Sequence, residues 1–319
     1  MVGVHCVILD DYQGVATSYA DWSVLDGVSV ASVRDHVGDE DTLAEILAGA
    51  QILVVMRERT PLTRTLVGRL PDLRLVVTTG RRNASIDLEA CREHGVTVCG
   101  TGSSPTAPAE LTWALILGLA RHLVAESELL ASPDSPWQST VGTDLAGATL
   151  GLVGLGRIGA RVARVARAFE MDVLAWSPHL TEERAAAEGA RRVEKSELLA
   201  GSDFVSLHLV LSESTRGTVG ATELAAMRPT SYLVNTSRAG LVDTDALVAA
   251  LRAGRIAGAG LDVYDEEPLP AGHPLLELTN LLAVPHLGYV TEGNYRTFFT
   301  EAVEDIAAWQ AGEPVRELT

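Results

Sequence analysis

The stretch GLVGLGRIGARVARVARAFE, residues 151–170, constrains the fold more than any other part of this sequence. Gly154, Gly156 and Gly159 show the spacing G-x-G-x-x-G after an apolar, strand-like run and before a segment of helical period. Glycines at this spacing let the backbone turn tightly and approach a pyrophosphate, whose charge the N-terminus of the following helix stabilises. The pattern predicts a dinucleotide-binding βα turn, and the alternative interpretation is a close-packed βα turn without a ligand.

Short apolar runs alternate with helical segments along the rest of the chain, which indicates parallel sheets covered by helices. The first series of predicted strands is HCVILDD, VSVASV, QILVVM, LRLVV and VTVCG, with helices at DEDTLAEILAGA and IDLEACREHG. One long helix is predicted over residues 109–124, and the loop ASPDSPWQST then leads to TLGLV, DVLAW, FVSLHL, SYLVN, AGAGLDV and LLAV. A last helix from about residue 291 to 310 is predicted to pack on the first series through Phe299, Ala302, Val303 and Ile306.

Composition limits the partners of such a fold. The 42 acidic and 25 basic residues give a formal net charge of -17, which disfavours nucleic acids and anionic membranes as partners. Cys6, Cys91 and Cys99 form no Cys-x-x-Cys pair and fit reduced thiols in a cytoplasmic protein. No apolar run approaches the roughly 20 residues of a membrane span, and no histidines show metal-ligand spacing. We expect a cytoplasmic protein with a small anionic ligand and no metal.

Three later stretches carry residues suited to acid–base chemistry: VNTSRAGLVD with Arg238, GLDVYDEEPL with Glu267, and VPHLGY with His286. Each residue has a simpler interpretation when taken alone: Arg238 in a surface ion pair, Glu267 as an acid in a loop, and His286 as a histidine of the core. Together, at predicted strand ends after a dinucleotide turn, they indicate a site. An arginine binds a carboxylate through two parallel hydrogen bonds, and a carboxylate beside a histidine fixes its tautomer and favours its protonated form.

The end of the strand after the glycine turn bears on the cofactor. A carboxylate is expected there to accept hydrogen bonds from the ribose 2′-hydroxyl of NAD, but the sequence VLAWSPHL has Ser177 instead. A serine hydroxyl also bonds a ribose hydroxyl, whereas the missing carboxylate removes the charge that would repel a 2′-phosphate. NAD is the favoured cofactor, and NADP, assisted by His179, is the alternative.

The motifs GLVGLGRIG, LVNTSRAGLVD, GAGLDVYDEEPL and VPHLG together resemble, in order and over nearly the whole chain, the D-isomer-specific 2-hydroxyacid dehydrogenases. The resemblance implies an α/β fold of two doubly wound parallel-sheet domains. A flavodoxin-like substrate domain would comprise residues 1–102 and 288–319, and a Rossmann cofactor domain residues 103–287. It also implies interconversion of a D-2-hydroxy acid and its 2-oxo acid with NAD(P), in which Arg238 binds the substrate, His286 is the acid/base and Glu267 orients it.

The same resemblance implies further binding residues. Asp262 would hold the nicotinamide carboxamide, and His208 would line the nicotinamide side. The cofactor residues implied in all are Gly154, Gly156, Arg157, Ile158, Gly159, Ser177, His208, Thr215, Thr236, Asp262 and Gly288. The substrate residues implied are Arg57, Gly80, Arg81, Arg82, Asn83, Arg238 and Tyr289.

One loop departs from the family pattern. Relatives often have Gly-x-Gly-x-Asp-Asn here, whereas this chain has GRRNASID, with Arg82 where the second glycine usually stands. In one interpretation, Arg81 and Arg82 are solvated or pair with Asp87 or Glu89. In the other, they face the substrate and add charge for a second anionic group, which predicts a phosphorylated, phosphono or dicarboxylic hydroxy acid.

Two other functions stay open from the sequence. C-terminal-binding-protein corepressors share the fold and the same Arg, Glu and His but act mainly as dinucleotide-sensing scaffolds. Phosphite-oxidising relatives carry a basic residue near the position of Arg81, so oxidation of a phosphorus oxoanion or phosphonate is a second alternative. The resemblance also implies a homodimer, because the loop around Trp137 reaches the partner subunit in relatives.

Overall fold

The computed structural model describes residues 4–131 and 135–318. Residues 1–3 and 319 of the predicted substrate domain, and 132–134 of the predicted Pro/Ser-rich loop, lie outside the described residues. The chain forms two compact units, Met1–Ser104 with Val290–Thr319, and Pro105–Tyr289. The division at 102/103 and 287/288 made from the sequence remains a prediction.

The first unit is built on a five-stranded sheet in the order β2-β1-β3-β4-β5, with every neighbouring pair parallel. Strands β3 and β4 are buried at every residue, as expected for apolar runs covered on both faces. The five predicted strands are all present, whereas helix α2 is too short to show a helical period in the sequence. The elements are β1 (Val4–Ile8), β2 (Val28–Ser32), α1 (Glu40–Ile46), β3 (Ile52–Val55), α2 (Arg64–Gly68), β4 (Leu75–Thr78), α3 (Leu88–Glu93) and β5 (Thr97–Gly100).

The second unit is built on a seven-stranded sheet. Its elements are α4 (Thr106–Ala120), α5 (Leu123–Leu130), β6 (Thr149–Val153), α6 (Arg157–Ala168), β7 (Asp172–Trp176), α7 (Glu182–Ala187), β8 (Arg191–Arg192), α8 (Lys195–Gly201), β9 (Phe204–Leu207), α9 (Ala221–Ala226), β10 (Tyr232–Asn235), α10 (Thr244–Arg252), β11 (Gly258–Leu261) and β12 (Leu281–Ala283). The order is β12-β11-β10-β9-β6-β7-β8, again all parallel. The prediction of two doubly wound α/β domains is confirmed, although β8, two exposed arginines, has no apolar pattern to predict it.

The single helix predicted over residues 109–124 is wrong at its C-terminal end. Helix α4 ends at Ala120, and His122 has φ 51°, in the left-handed region that an α-helix cannot continue through. Helix α5 then begins at Leu123. It has no buried residue, and Leu123 and Leu130 are 55% and 66% exposed.

The last helix, α11 (Glu292–Gln310), belongs to the first unit. It begins where the Thr291 side chain accepts a hydrogen bond from the N–H of Asn294, a typical N-cap. Phe299, Ala302 and Ile306 are completely buried, as the helical period predicted. Among the described residues, no helix combines the length and the apolar character that crossing a bilayer requires.

After α11 the chain forms an edge segment along β5. The N–H of Gly100 donates to the carbonyl of Arg316 (3.0 Å), and the N–H of Leu318 donates to that of Val98 (2.8 Å). The Arg316 guanidinium lies 2.8 Å from the carboxylate of Asp305. Because Asp305 is fully buried, its pKa is raised to about 6, and the Arg316 charge opposes that rise.

Arg316→Ala is expected to lower the free energy of unfolding by about 3 kcal/mol, because a buried carboxylate loses its counter-charge. The loss should be smallest below about pH 6, since the pKa of Asp305 is raised to about that value in the folded state and its protonated form needs no counter-charge. Urea unfolding above and below that pH measures both effects.

The control is Arg69→Ala, because its partner Asp41 is 82% exposed. That variant should lose less than about 0.5 kcal/mol, as usual for exposed pairs. Equal losses in the two variants above pH 6 would contradict the assignment.

Candidate active site

The residues suited to acid–base chemistry follow three neighbouring strands of the second unit. Strands β10, β11 and β12 are parallel and in register at Asn235, Leu261 and Ala283, close to or at their carboxyl ends. Arg238, Glu267 and His286 come shortly after these ends. They therefore share one edge of the sheet, the edge at which open α/β sheets bind ligands.

Glu267 and His286 form a hydrogen-bonded pair. The Nδ1 atom of His286 lies 2.6 Å from Oε2 of Glu267, and the other carboxylate oxygen accepts a 2.9 Å hydrogen bond from the N–H of Tyr264. Because an ionised carboxylate only accepts, Nδ1 is the donor and Nε2 is left for proton exchange with a ligand. The two side chains are only 18% and 23% exposed.

The backbone at His286 is in a rarely populated conformation. Its φ is 51°, and its N–H donates to the carbonyl of Val284 at 3.0 Å. Left-handed backbone at a residue other than glycine costs free energy and is common at functional sites. The Tyr289 ring packs edge-on against the imidazole, with centroids 5.4 Å apart.

Asp262 braces the segment that follows His286. Its carboxylate is completely buried and accepts hydrogen bonds from the N–H groups of Leu287 (2.5 Å) and Gly288 (2.9 Å). Burial raises the pKa of Asp262 to about 6, while the nearby His286 and the two N–H groups act in the opposite direction. Each oxygen keeps a second lone pair, so the nicotinamide roles of Asp262 and Gly288 remain predictions.

Arg238 is positioned by its neighbours in the loop after β10. The buried Asn235 side chain donates to the Arg238 carbonyl at 3.0 Å and accepts from the N–H of Ser237 at 3.0 Å. The Ser237 hydroxyl donates to Leu207 at the end of β9. Asn235 is missing from the sequence prediction, although it lies within the LVNTSRAGLVD motif.

The glycine turn between β6 and α6 fits a dinucleotide. Gly154 has φ 108°, and a Cβ there would lie 2.6 Å from the carbonyl carbon of His208; one on Gly159 would lie 2.2 Å from the Gly154 oxygen. A Cβ on Gly156 would meet nothing within 4 Å, which leaves room for a ligand against the backbone. Gly156 also caps α6 without a side-chain hydrogen bond, so the first-turn N–H groups, with the exposed Arg157, suit an anion.

Other predicted cofactor residues have partners within the protein. The Thr215 hydroxyl donates to the carbonyl of Val210 (2.7 Å), and the Thr236 hydroxyl pairs with that of Thr112 (2.8 Å). Ile158, in the first turn of α6, is partly buried and packs against a hydrophobic core of the second unit. Ser177 directly follows β7 and is partly exposed. All four remain predicted cofactor residues.

His208 follows β9 beside the glycine turn. Its Nε2 lies 2.9 Å from the Ser206 hydroxyl, and its buried Nδ1 has no hydrogen-bond partner in the described part of the chain. Burial lowers the pKa of His208 to about 4, so the imidazole is neutral at physiological pH. A neutral side chain adds no charge to a cofactor phosphate, and contact with the nicotinamide side remains the prediction.

In the first unit, Arg57, Gly80 and Asn83 are packed together. The Arg57 guanidinium donates to the carbonyl of Thr79 at 3.1 Å and occupies the space of a side chain at Gly80, whose Cβ would lie 1.8 Å away. The Asn83 amide donates to the Arg57 carbonyl (2.5 Å) and to Thr78 (2.9 Å). Asn83 thus has a structural role in this loop, and its substrate contact remains a prediction.

Arg81 and Arg82 are exposed, and no hydrogen bond or ion pair of theirs is found within residues 4–131 and 135–318. Their proposed partners, Asp87 and Glu89, instead lie 3.6 and 3.8 Å from Arg64. That ion-paired interpretation is therefore not found. The described residues also contain no cluster of three or more His, Cys, Asp or Glu side chains that could hold a metal ion.

Comparison with known proteins identifies relatives of this chain. Residues 113–288 match the profile of the family described as D-isomer specific 2-hydroxyacid dehydrogenase, NAD binding domain. An (S)-sulfolactate dehydrogenase of Chromohalobacter salexigens is 40% identical, over 82% of this chain and 85% of its own length. A D-3-phosphoglycerate dehydrogenase of Methanocaldococcus jannaschii is 35% identical over 91% of this chain, but the chain spans only 55% of that relative's length.

A solved structure shows the same fold. The crystal structure of a phosphoglycerate oxidoreductase from Vibrio cholerae matches with a TM-score of 0.92 and 41% identity, over 97% of this chain and 99% of that one. Both sheets of the present structure therefore have a counterpart in that relative, and the NAD-binding unit contains the glycine turn described above.

Gly156→Ala is expected to lose at most about 1 kcal/mol of stability, because alanine is a poorer N-cap than glycine, but to bind NADH at least about tenfold more weakly, because its methyl group enters the space left for the pyrophosphate. Gly159→Ala should instead lower the free energy of unfolding by about 1–3 kcal/mol, because its Cβ would collide with the Gly154 carbonyl. Fluorescence titration with NADH and thermal unfolding distinguish the two. Unchanged NADH affinity in Gly156→Ala would argue against a dinucleotide at this turn.

Proposed function

Because this chain belongs to the family of D-isomer-specific 2-hydroxyacid dehydrogenases, we propose that it interconverts a D-2-hydroxy acid and its 2-oxo acid with NAD. The observation that carries the proposal is the 2.6 Å Glu267–His286 hydrogen bond on the sheet edge that Arg238 shares. A histidine oriented by a carboxylate next to an arginine provides proton transfer and carboxylate binding in one site.

Each side chain has a distinct task in the reduction. Bound NADH supplies the hydride that the carbonyl carbon receives. Arg238 holds the substrate carboxylate and, through its charge, polarises the adjacent carbonyl. His286 gives the Nε2 proton of its imidazolium to the carbonyl oxygen, which becomes the hydroxyl; in the reverse direction, neutral Nε2 takes that proton back.

Glu267 makes this proton transfer efficient. Its carboxylate holds Nδ1–H, which fixes the ring orientation and stabilises the imidazolium formed on the oxidation path. The buried Asp262 keeps the backbone after His286 in place through two N–H groups.

His286→Ala is expected to lower kcat for 2-oxo acid reduction by about 100- to 10,000-fold, because it removes the general acid. Glu267→Gln should cost less, about 10- to 100-fold, since the amide oxygen can still accept from Nδ1, although the amide carries no charge and its NH2 group cannot accept from the N–H of Tyr264. Steady-state kinetics with NADH and a panel of 2-oxo acids measures both, and NADH titration checks that cofactor binding is retained.

The same panel tests the two other functions. A wild-type protein that binds NADH but reduces no 2-oxo acid would favour a dinucleotide-sensing scaffold. Oxidation of phosphite or a phosphonate with NAD, without hydroxy-acid turnover, would favour the phosphorus alternative. Unchanged turnover in His286→Ala would refute the assignment of the acid/base.

We propose further that the substrate carries a second anionic group. The relatives named above include a D-3-phosphoglycerate and an (S)-sulfolactate dehydrogenase, whose substrates have a phosphate or a sulfonate besides the carboxylate. In this chain, Arg81 and Arg82 are exposed without an acidic partner in the described residues, and Arg57 stands on the neighbouring strand end of the same unit. Guanidiniums bind such groups through charge-assisted hydrogen bonds.

Arg81→Gln and Arg82→Gln, separately and together, are expected to raise KM for phosphorylated or sulfonated 2-oxo acids by about tenfold or more. KM for pyruvate should stay within about twofold, because it has no second anion. Arg92→Gln in α3, also exposed, is the matched control. Equal effects on both substrate classes would contradict the proposal.

We propose a homodimer as the assembled form. Trp137 and Val141, in the segment after α5, are 81% and 91% exposed, and Leu130 at the end of α5 is 66% exposed. Large apolar side chains exposed together mark interaction surfaces. Light scattering at micromolar concentration gives the mass, and a monomer there would contradict the proposal.

We propose a cytoplasmic location, on the basis of the thiols. Cys6, Cys91 and Cys99 are all free and buried. Burial raises the pKa of Cys6 to about 12, so this thiol is unreactive and serves as packing. Fractionation followed by immunoblotting tests the location.

A further inference from the structure

Tyr264 makes contact with the Glu267–His286 pair through two separate groups. It lies in the loop after β11, partly buried against the core of the second unit. Its backbone N–H donates to Oε1 of Glu267 at 2.9 Å. Its hydroxyl is shared between the carbonyls of Leu261 (3.1 Å) and Val284 (2.9 Å).

Both carbonyls also accept hydrogen bonds from the backbone segment that carries His286. The Leu261 carbonyl at the end of β11 also accepts from the N–H of Val284, at 2.9 Å. The Val284 carbonyl also accepts from the N–H of His286, at 3.0 Å. The Tyr264 hydroxyl therefore bonds to two fixed carbonyls. The Leu261 carbonyl accepts the last backbone hydrogen bond between β11 and the chain after β12, and the Val284 carbonyl accepts from the residue that bears the imidazole.

We propose that Tyr264 is a positioning residue for the acid–base pair, holding Glu267 by its N–H and the His286 backbone by its hydroxyl. This inference rests on the proposed role of that pair. His286 has a left-handed backbone, with φ 51°, which persists only where its surroundings hold it. The Val284 carbonyl, fixed from two sides, supplies one such constraint.

The hydroxyl is suited to a permanent structural bond. Burial, together with the charges of Asp262 and Glu267, raises the pKa of Tyr264 well above its usual range. The group therefore stays a neutral donor at any working pH. Because Tyr264 does not reach the substrate in this scheme, its loss should change the rate of the chemical step rather than ligand affinity.

Tyr264→Phe removes only the hydroxyl and keeps the ring and the backbone N–H. We expect kcat for 2-oxo acid reduction to fall about tenfold, because small displacements of a catalytic group are costly. KM for the oxo acid and the NADH dissociation constant should stay within about twofold. Tyr232→Phe is the matched control: Tyr232 is a buried tyrosine of the same sheet, and its hydroxyl makes no hydrogen bond within the described residues.

Hydrogen exchange followed by mass spectrometry gives a readout that does not need turnover. In Tyr264→Phe, peptides that span residues 284–288 should exchange about tenfold faster, while peptides from β6 should not change. Tyr232→Phe should leave both sets unchanged.

The outcomes separate this inference from the proposed function. A wild-type protein without turnover refutes the proposed function, and Tyr264 is then judged by exchange alone. Unchanged exchange at residues 284–288 overturns the inference in either case. An active Tyr264→Phe with wild-type kcat, or with a raised KM and unchanged kcat, overturns it as well.

Discussion

The parallel arrangement of both sheets is the constraint from which the site follows. Parallel neighbours need a crossover between them, so all strands of a sheet end at the same edge. In the seven-stranded sheet, β6 leads into the glycine turn, β9 into His208, and β10 to β12 into the loops of the acid–base residues. Residues far apart in sequence thus lie at one edge of the sheet because each follows a strand by a few positions. The order of the strands in the sheet is enough to place them there.

Loops alone would not hold side chains precisely, and in this structure carboxylates and carbonyls stabilise the loops that carry the candidate site. Asp262 binds two backbone N–H groups, and Glu267 binds one N–H and the imidazole. The buried carboxylate of Asp305, in the other unit, is stabilised instead by the guanidinium of Arg316. The pKa of both buried aspartates is raised to about 6, so each carboxylate costs stability at neutral pH that its partners offset. At the candidate site, that cost maintains a backbone conformation.

Most of the fold could be predicted from the sequence, because buried strands and tight turns depend on local pattern, while the roles of the site residues named from the same motifs remain predictions. Apolar runs predict the buried strands, and the glycine spacing predicts the turn, whose close approaches leave no room for side chains.

The features that could not be predicted from the sequence depend on single backbone angles or on the direction of a side chain. The break between α4 and α5 depends on the left-handed His122, in a segment otherwise suited to a helix. Arg64, rather than Arg81 or Arg82, takes Asp87 and Glu89 because α2 and α3 pack together, which spacing does not reveal. Asn235 and Asp262 act on backbone groups, so no side-chain motif identifies their partners.

The arginines of the first unit differ in how they are held, and this bears on how a chain with a net charge of -17 binds anions. Arg57 is fixed by bonds to Thr79 and by the space left at Gly80, so binding a ligand would cost it little side-chain entropy. Arg81 and Arg82 extend into solvent, and each would lose up to about 2 kcal/mol of rotamer entropy on making a fixed contact. A fixed guanidinium favours geometric selection among anions, whereas a flexible one gains less from a direct contact, and the part of its attraction that acts at a distance is screened by salt.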